Sequence, residues 1–324
     1  MRLKLVPEQT NIDFFRWQWL TMGISGAAVV ISLVAWLVLG LNFGIDFLGG
    51  TTIRTESPTA VDVGAYRNAI QPLGLGDVLI TEVFDPTFGE SRNVAMLRIQ
   101  AQDGAEAITP EIIASVEAAL IALDPAITFP SVESVGPKVS GELIWTAILS
   151  VSTALVAILV YIWLRFEWQF SVGAVAALVH DVVVTIGIFA ILQIKFDLAV
   201  IAALLTIIGY SINDTVVIFD RLRENLIKYK VMPLRDVMNL SVNETLSRTV
   251  MTSGTTLIAL IALLALGGDV IRGFVFAIFW GVIVGTYSSV YVAKNIVLLI
   301  GVNRDRTPGS GAESKAGTQF STGA

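Results

Sequence analysis

Two carboxylates sit where charge is expensive. Asp181, beside the only histidine, His180, lies in a stretch (170–192) that is otherwise apolar, and Asp214, beside Asn213, lies in another (198–219). A charge at the centre of a bilayer costs about 2.5–3.5 kcal/mol on insertion scales, which makes such residues candidates for moving protons or ions. Thr206, Tyr210, Asn213 and Asp214 recur at i, i+4, i+7 and i+8 and share one helical face. Arg248, Thr252, Thr255 and Ala259 form a second polar face on the next apolar stretch. Two such faces on neighbouring helices predict a hydrated seam, and the long side chain of Arg248, at the edge of its stretch, can reach inward to Asp214. A carboxylate there is pulled two ways: desolvation favours the acid and the guanidinium favours the anion. That balance suits a reversible proton carrier. Asp214, Arg248, Asn213, Asp181 and His180 therefore read as a proton relay. The plainer alternatives are an Arg248 that only extends to the headgroups and a His180–Asp181 pair that only bonds helix to helix.

The residue inventory excludes most other chemistry. With no cysteine there are no disulfides, thiolate metal sites or thiol nucleophiles. One histidine cannot build a multi-histidine metal centre. No G-x-x-x-x-G-K-[ST] loop occurs, so any ATP use belongs to a partner. Asp181 and Asp214 are the pair an intramembrane aspartyl protease would need, but such enzymes carry G-x-G-D, and here Ser211, Ile212 and Asn213 precede Asp214. The chain reads as a non-enzyme with no cofactor, protons being its coupling ion. A net charge of −6 and a pI near 4.9 argue against nucleic acid as a partner.

The elements that must position these residues follow from hydropathy. Of 324 residues, 54% are hydrophobic and 15% charged, and the mean hydropathy is +0.74. Soluble domains carry about 25% charged residues, so the solvent for much of this chain is the lipid bilayer. Six stretches approach or exceed the roughly 20 apolar residues a spanning helix needs: 20–40, 141–164, 170–192, 198–219, 249–268 and 273–300. The first reads as a retained anchor, because its apolar run is longer than a signal core and no A-x-A-like site follows. The sixth carries Ala277, Gly281, Gly285 and Ser289 at a spacing of four, a small-residue ridge for close helix packing. Lys and Arg concentrate in 1–19, at Arg165, in the 220–248 link and in the tail, which predicts both termini on the cytoplasmic side of a multi-pass membrane protein.

Segment 41–140 then lies on the outer face. It is acidic, and its strand and helix signals run βαββαβ: strands near 51–55, 78–84, 94–100 and 127–135, helices near 61–73 and 111–123, and a turn over 85–93. This is a ferredoxin-like α+β arrangement. In the link, Leu234, Val237, Met238, Ser241, Thr245 and Leu246 fall on one face and predict a short amphipathic helix along the inner surface. The polar tail, 301–324, reads as disordered.

Five segments carry a resemblance. Gly44–Ile53 reads GIDFLGGTTI, Val135–Leu143 VGPKVSGEL, Ser211–Asn225 SINDTVVIFDRLREN, Ser247–Thr256 SRTVMTSGTT and Arg272–Ala293 RGFVFAIFWGVIVGTYSSVYVA. In this order and at these membrane positions they resemble the SecD/SecF family of bacterial protein-export membrane proteins. The resemblance implies one half of a resistance–nodulation–division type transporter with six spans and one outer domain. It implies pairing with SecD, work beside the SecYEG channel with YajC and YidC, and inward proton flow that pulls unfolded preprotein outward. The family's fourth-span aspartate falls on Asp214 and its fifth-span arginine on Arg248. The alternative is half of a proton-coupled small-molecule exporter of the same superfamily.

Overall fold

The computed structural model describes residues 10–76, 78–83, 93–100 and 109–302. The expected turn over 85–93, except Asn93 itself, and nearly all of the expected disordered tail lie outside the described residues. Six helices among the described residues are long and apolar enough to cross a membrane. They are α1 (Gln18–Leu39), α5 (Pro137–Arg165), α6 (Trp168–Leu192), α7 (Leu198–Lys228), α8 (Leu234–Leu266) and α9 (Asp269–Ser288), the last running through a π segment (Ser289–Ala293) into α10 (Lys294–Ile300). The chain is a multi-pass membrane protein. α6 is apolar nearly all round, and most of its residues are buried inside the bundle. That is the position such a helix must take. α1 and α5 turn large apolar side chains outward; Leu37 and Leu164 are each 80% exposed. Lipid contact accounts for that exposure.

Between the first two spans lies a small sheet domain. A short helix, α2 (Ile45–Leu48), leads into β1 (Gly50–Ser57), then α3 (Val63–Ile70), β2 (Val78–Val83), β3 (Asn93–Gln100), α4 (Pro110–Leu123) and β4 (Thr128–Val135). The sheet order is β2-β3-β1-β4, antiparallel throughout, with Ile53 opposite both Leu97 and Val132. This is the ferredoxin-like α+β topology. Asp62 caps α3 by accepting from the backbone N–H of Gly64 and Ala65 at 2.8 and 3.0 Å. Pro110 opens α4, where its missing N–H costs nothing. Ile53, Leu97, Ile99, Val116 and Leu120 are fully buried and form the centre of a core separate from the bundle's.

One expectation needs correction. The link between the fourth and fifth spans holds no separate surface helix: Leu234–Leu266 is one continuous helix. No proline lies between Leu234 and Gly267 to break it, and Gly254 alone is tolerated. The face predicted to lie along the membrane surface is packed instead. Val237 and Met238 are buried against Phe14, Phe15, Leu222 and Leu226, and Asn243 and Asn239 bond the backbone at Ile12 and Phe14. The fourth-span helix runs on to Lys228, beyond the apolar stretch, as a continuation of the span through Arg221.

Candidate functional site

Three helices build the polar centre of the bundle. Asp181 of α6 is 1% exposed. Its Oδ2 accepts from the hydroxyls of Ser211 on α7 and Ser288 on α9, at 2.6 and 2.8 Å, and its Oδ1 lies 3.0 Å from His180 Nδ1. Gly285 makes room for this: a Cβ there would sit 3.0 Å from Ser211 Cβ and 3.5 Å from Asp181 Oδ2. Ser288 stands where α9 widens into the π segment, a feature often found at functional sites. His180 Nε2 is buried without a hydrogen-bond partner among the described residues.

Asp214 lies one turn further along α7 from Ser211. It is 3% exposed, and its Oδ2 has no hydrogen-bond partner among the described residues. The groups that act on it come from α8: the charge of Arg248 and the hydroxyl of Ser253. Ser253 Oγ lies 2.7 Å from Thr286 Oγ1, so this hydroxyl also ties α8 to α9. Arg248 acts from beyond 4.0 Å, since no ion pair joins the two side chains. The polar groups continue in both directions along the α7–α8 contact. On one side Tyr210 donates to Thr256 Oγ1 at 3.4 Å. On the other, the buried Thr249 hydroxyl is unpartnered among the described residues. Beyond it a cleft of about 500 Å³ holds Arg248, Arg221, Glu244, Glu224, Asp220 and Arg165. Arg221 pairs with Glu244 and Glu224 at 2.7 and 2.6 Å, and Arg165 with Asp220 at 3.3 Å.

The geometry redraws the two predicted polar faces. α8 buries Thr249, Ser253 and Leu260, whereas Arg248, Thr255 and Ala259 are exposed. On α7, Asp214 points inward while Asn213 and Thr206 are exposed on the outside of the bundle. One residue is a rotation of about 100°, so neighbours on a broad polar face part company when the helix docks. The small-residue ridge of α9 packs within the chain. Ala277 is fully buried, a Cβ on Gly281 would overlap the Ile207 side chain of α7, and Gly285 meets Ser211. Ser289 is fully buried in the π segment.

Sequence reasoning missed Ser211 and Ser288 as partners of Asp181, although both stand in quoted motifs. It also missed Lys294. This lysine is completely buried, donates to the Phe14 carbonyl at 3.2 Å and lies 3.6 Å from the Phe15 ring centroid. Its signal was a lone cation inside the last apolar stretch.

Residues 115–303 match the family described as "Protein export membrane protein SecD/SecF, C-terminal", and residues 34–57 match the "SecD/SecF GG Motif". The "Protein translocase subunit SecF" of Cereibacter sphaeroides is 70% identical over 319 residues, covering 98% of each chain. That of Rhodobacter capsulatus is 68% identical over 311 residues, covering 94% of this chain and 93% of the other. The chain belongs to the SecD/SecF family. Among solved structures it is similar to SecDF from Thermus thermophilus, titled a translocon-associated membrane protein, with a TM-score of 0.79 at 34% identity. The match covers 91% of this chain and spans 39% of that longer one. A SecDF structure in a super-membrane-facing form matches the same shares with a TM-score of 0.63 at 35% identity. In SecD/SecF terms, the GG motif covers the end of α1, the short α2 and β1, and the C-terminal match takes in every helix that carries the polar centre.

Proposed function

We propose that this chain is an accessory subunit of the Sec protein translocase that couples proton flow to polypeptide export, with SecD as the other half of the transporter. The observation that carries the reading is Asp214: a buried intramembrane carboxylate with one oxygen unpartnered among the described residues, in a polar column that ends in a charged cleft. Asp214 takes up and releases the proton. Arg248 lowers the cost of its anionic form from a distance and makes no fixed pair that would trap it. Asp181 and His180 extend the relay inward, joined to the Asp214 helix through the Ser211 hydroxyl.

Thr206 and Asn213 support a partner half. They are polar, exposed and inside a spanning helix, a placement that lipid disfavours and a second polar surface relieves. The excess of Lys and Arg at the cleft end supports a cytoplasmic placement of that end in the bacterial inner membrane, with the sheet domain in the periplasm meeting unfolded preprotein. SecYEG, YajC and YidC enter as neighbours from the family resemblance. The test is Asp214→Asn, measured as export into membrane vesicles with an imposed proton gradient. Insertion should be normal and the gradient-dependent stimulation lost; stimulation at the wild-type level overturns the reading.

A further inference from the structure

The GG-motif region does more than lead into β1. Residues 42–46 clamp the α6–α7 loop. Gly44 N–H donates to the Phe196 carbonyl at 2.7 Å and Phe196 N–H to the Asn42 carbonyl at 2.8 Å, closing an isolated parallel bridge between Phe43 and Phe196. Gly44 has no room for a side chain without crowding: a Cβ would lie 3.1 Å from Asp197 Cβ and 3.3 Å from Lys195 Cε. The Phe43, Phe47 and Phe196 rings meet at centroid distances of 5.6 to 6.0 Å and seal the contact.

Two carboxylates cap the start of α7. Asp197 accepts from Val200 N–H at 3.2 Å, as a local cap does. Asp46, from α2, accepts from Leu198 N–H at 3.0 Å. The first turn of α7 is thus held by the segment that opens the sheet domain. Arg98 closes the unit from above. It projects from β3, is partly buried, donates to the Phe43 carbonyl and lies in the field of both Asp46 and Asp197. Burial pulls its guanidinium below the ordinary arginine value, and those two carboxylates act against that pull. Asp214 sits on the same uninterrupted helix, about 24 Å along at 1.5 Å per residue.

We propose that Asp46 and Arg98 form a joint that fixes the start of α7 to the sheet domain, so that a shift of α7 driven at Asp214 is delivered to β3 and β1. Both are positioning residues. The inference rests on the proton-coupled reading above for what drives α7, but the joint itself does not. A rigid helix transmits an axial or tilting movement along its length only if its far end is attached. Here the attachment is the Asp46 bond to Leu198 N–H, one short bridge and one guanidinium, all gathered at the base of the domain.

The test is Arg98→Met in the full chain assembled in its own membranes, with Asp46→Asn as the milder variant, because its amide oxygen still accepts from Leu198 N–H. Proton flux and gradient-stimulated export are measured in the same vesicles. Arg98→Met is expected to keep at least half of the proton flux and to lose export stimulation at least tenfold, and Asp46→Asn to lose less. Retention of both activities, or equal loss of both with normal insertion, overturns the joint. The chain has no cysteine, so spin labels at Glu82→Cys on β2 and Ala199→Cys in the first turn of α7 report the attachment without background from the chain's own residues. Arg98→Met should broaden their distance distribution, and an unchanged distribution overturns the joint whatever the activities do. Failure of the proton-coupled reading looks different: Asp214→Asn would export normally while the label distances still responded to Arg98→Met.

Discussion

Asp181 offers a test in which stability and transport separate. Asparagine has nearly the same volume as the aspartate it replaces. Its carbonyl oxygen can stand at the Oδ2 position and accept from Ser211 and Ser288, and its amide can donate to His180 Nδ1 when the ring carries its proton on Nε2. All three bonds survive, so Asp181→Asn should cost less than about 1 kcal/mol. Alanine removes every acceptor. Ser288 still has the Gly285 carbonyl at 3.1 Å. Ser211 Oγ and His180 Nδ1 have no other hydrogen-bond partner among the described residues. Two orphaned buried groups at about 1–3 kcal/mol each bound the loss from above. Bonds between membrane helices measure lower, near 0.6 on average and up to about 1.7 kcal/mol. The expected loss for Asp181→Ala is therefore about 2–4 kcal/mol. Unfolding in mixed micelles measures the first quantity, and export into vesicles under an imposed proton gradient the second. Asp181→Asn should be as stable as the wild type and lose gradient-driven stimulation at least tenfold. Full export by Asp181→Asn would reduce Asp181 to a helix clasp and refute its place in the relay; an Asp181→Ala variant of wild-type stability would refute the bonding argument itself.

Further expectations follow from the packing and the charges. Gly281→Ala should destabilise the bundle by about 1–3 kcal/mol because its Cβ overlaps Ile207; pairing it with Ile207→Ala should recover part of that loss, and strictly additive unfolding energies would contradict the close contact. Arg248→Lys tests the guanidinium: a compact ammonium should lower proton flux if Arg248 tunes Asp214, Arg248→Met should abolish flux, and near-normal flux in both would leave Arg248 an interfacial anchor. In the sheet domain the Ser57 hydroxyl, the Ala126 N–H and the Thr59 hydroxyl hold the Asp124 carboxyl below its ordinary value. The folded pKa is thus below the unfolded one, so the contribution is fully present above about pH 3.9 and disappears as pH falls through the depressed folded value. Amide exchange in β1 and α4 should rise in that acid window for the wild type and show a smaller rise for Asp124→Asn.

Some of this protein was legible in one dimension because its causes are local. Twenty or so apolar residues must form a helix in lipid, since no water is present to satisfy an open backbone, and so the six spans could be read directly. The βαββαβ order rested on strand alternation and on helix-start signals such as Thr109–Pro110, whereas the place of β1 between β3 and β4, with its register shift between Arg54 and Glu56, came only with the folded sheet. Asp214 and Asp181 were visible as candidates because charge is rare in such stretches. Tertiary structure decided the rest. Whether Asp214 or Asn213 faces inward depends on the rotation at which α7 docks, and that is set by contacts with α9 such as Ile207 on Gly281. Ser211 and Ser288 became partners of Asp181 only when three helices converged, from positions 30 and 107 residues away. The link face on α8 has the period of a membrane-surface helix, but period alone cannot tell lipid from a neighbouring core, and Phe14, Phe15 and α7 cover it. Arg98 carries no signal in sequence at all: it is one arginine on one strand, and its meaning comes from the sheet topology that sets β3 above the start of α7.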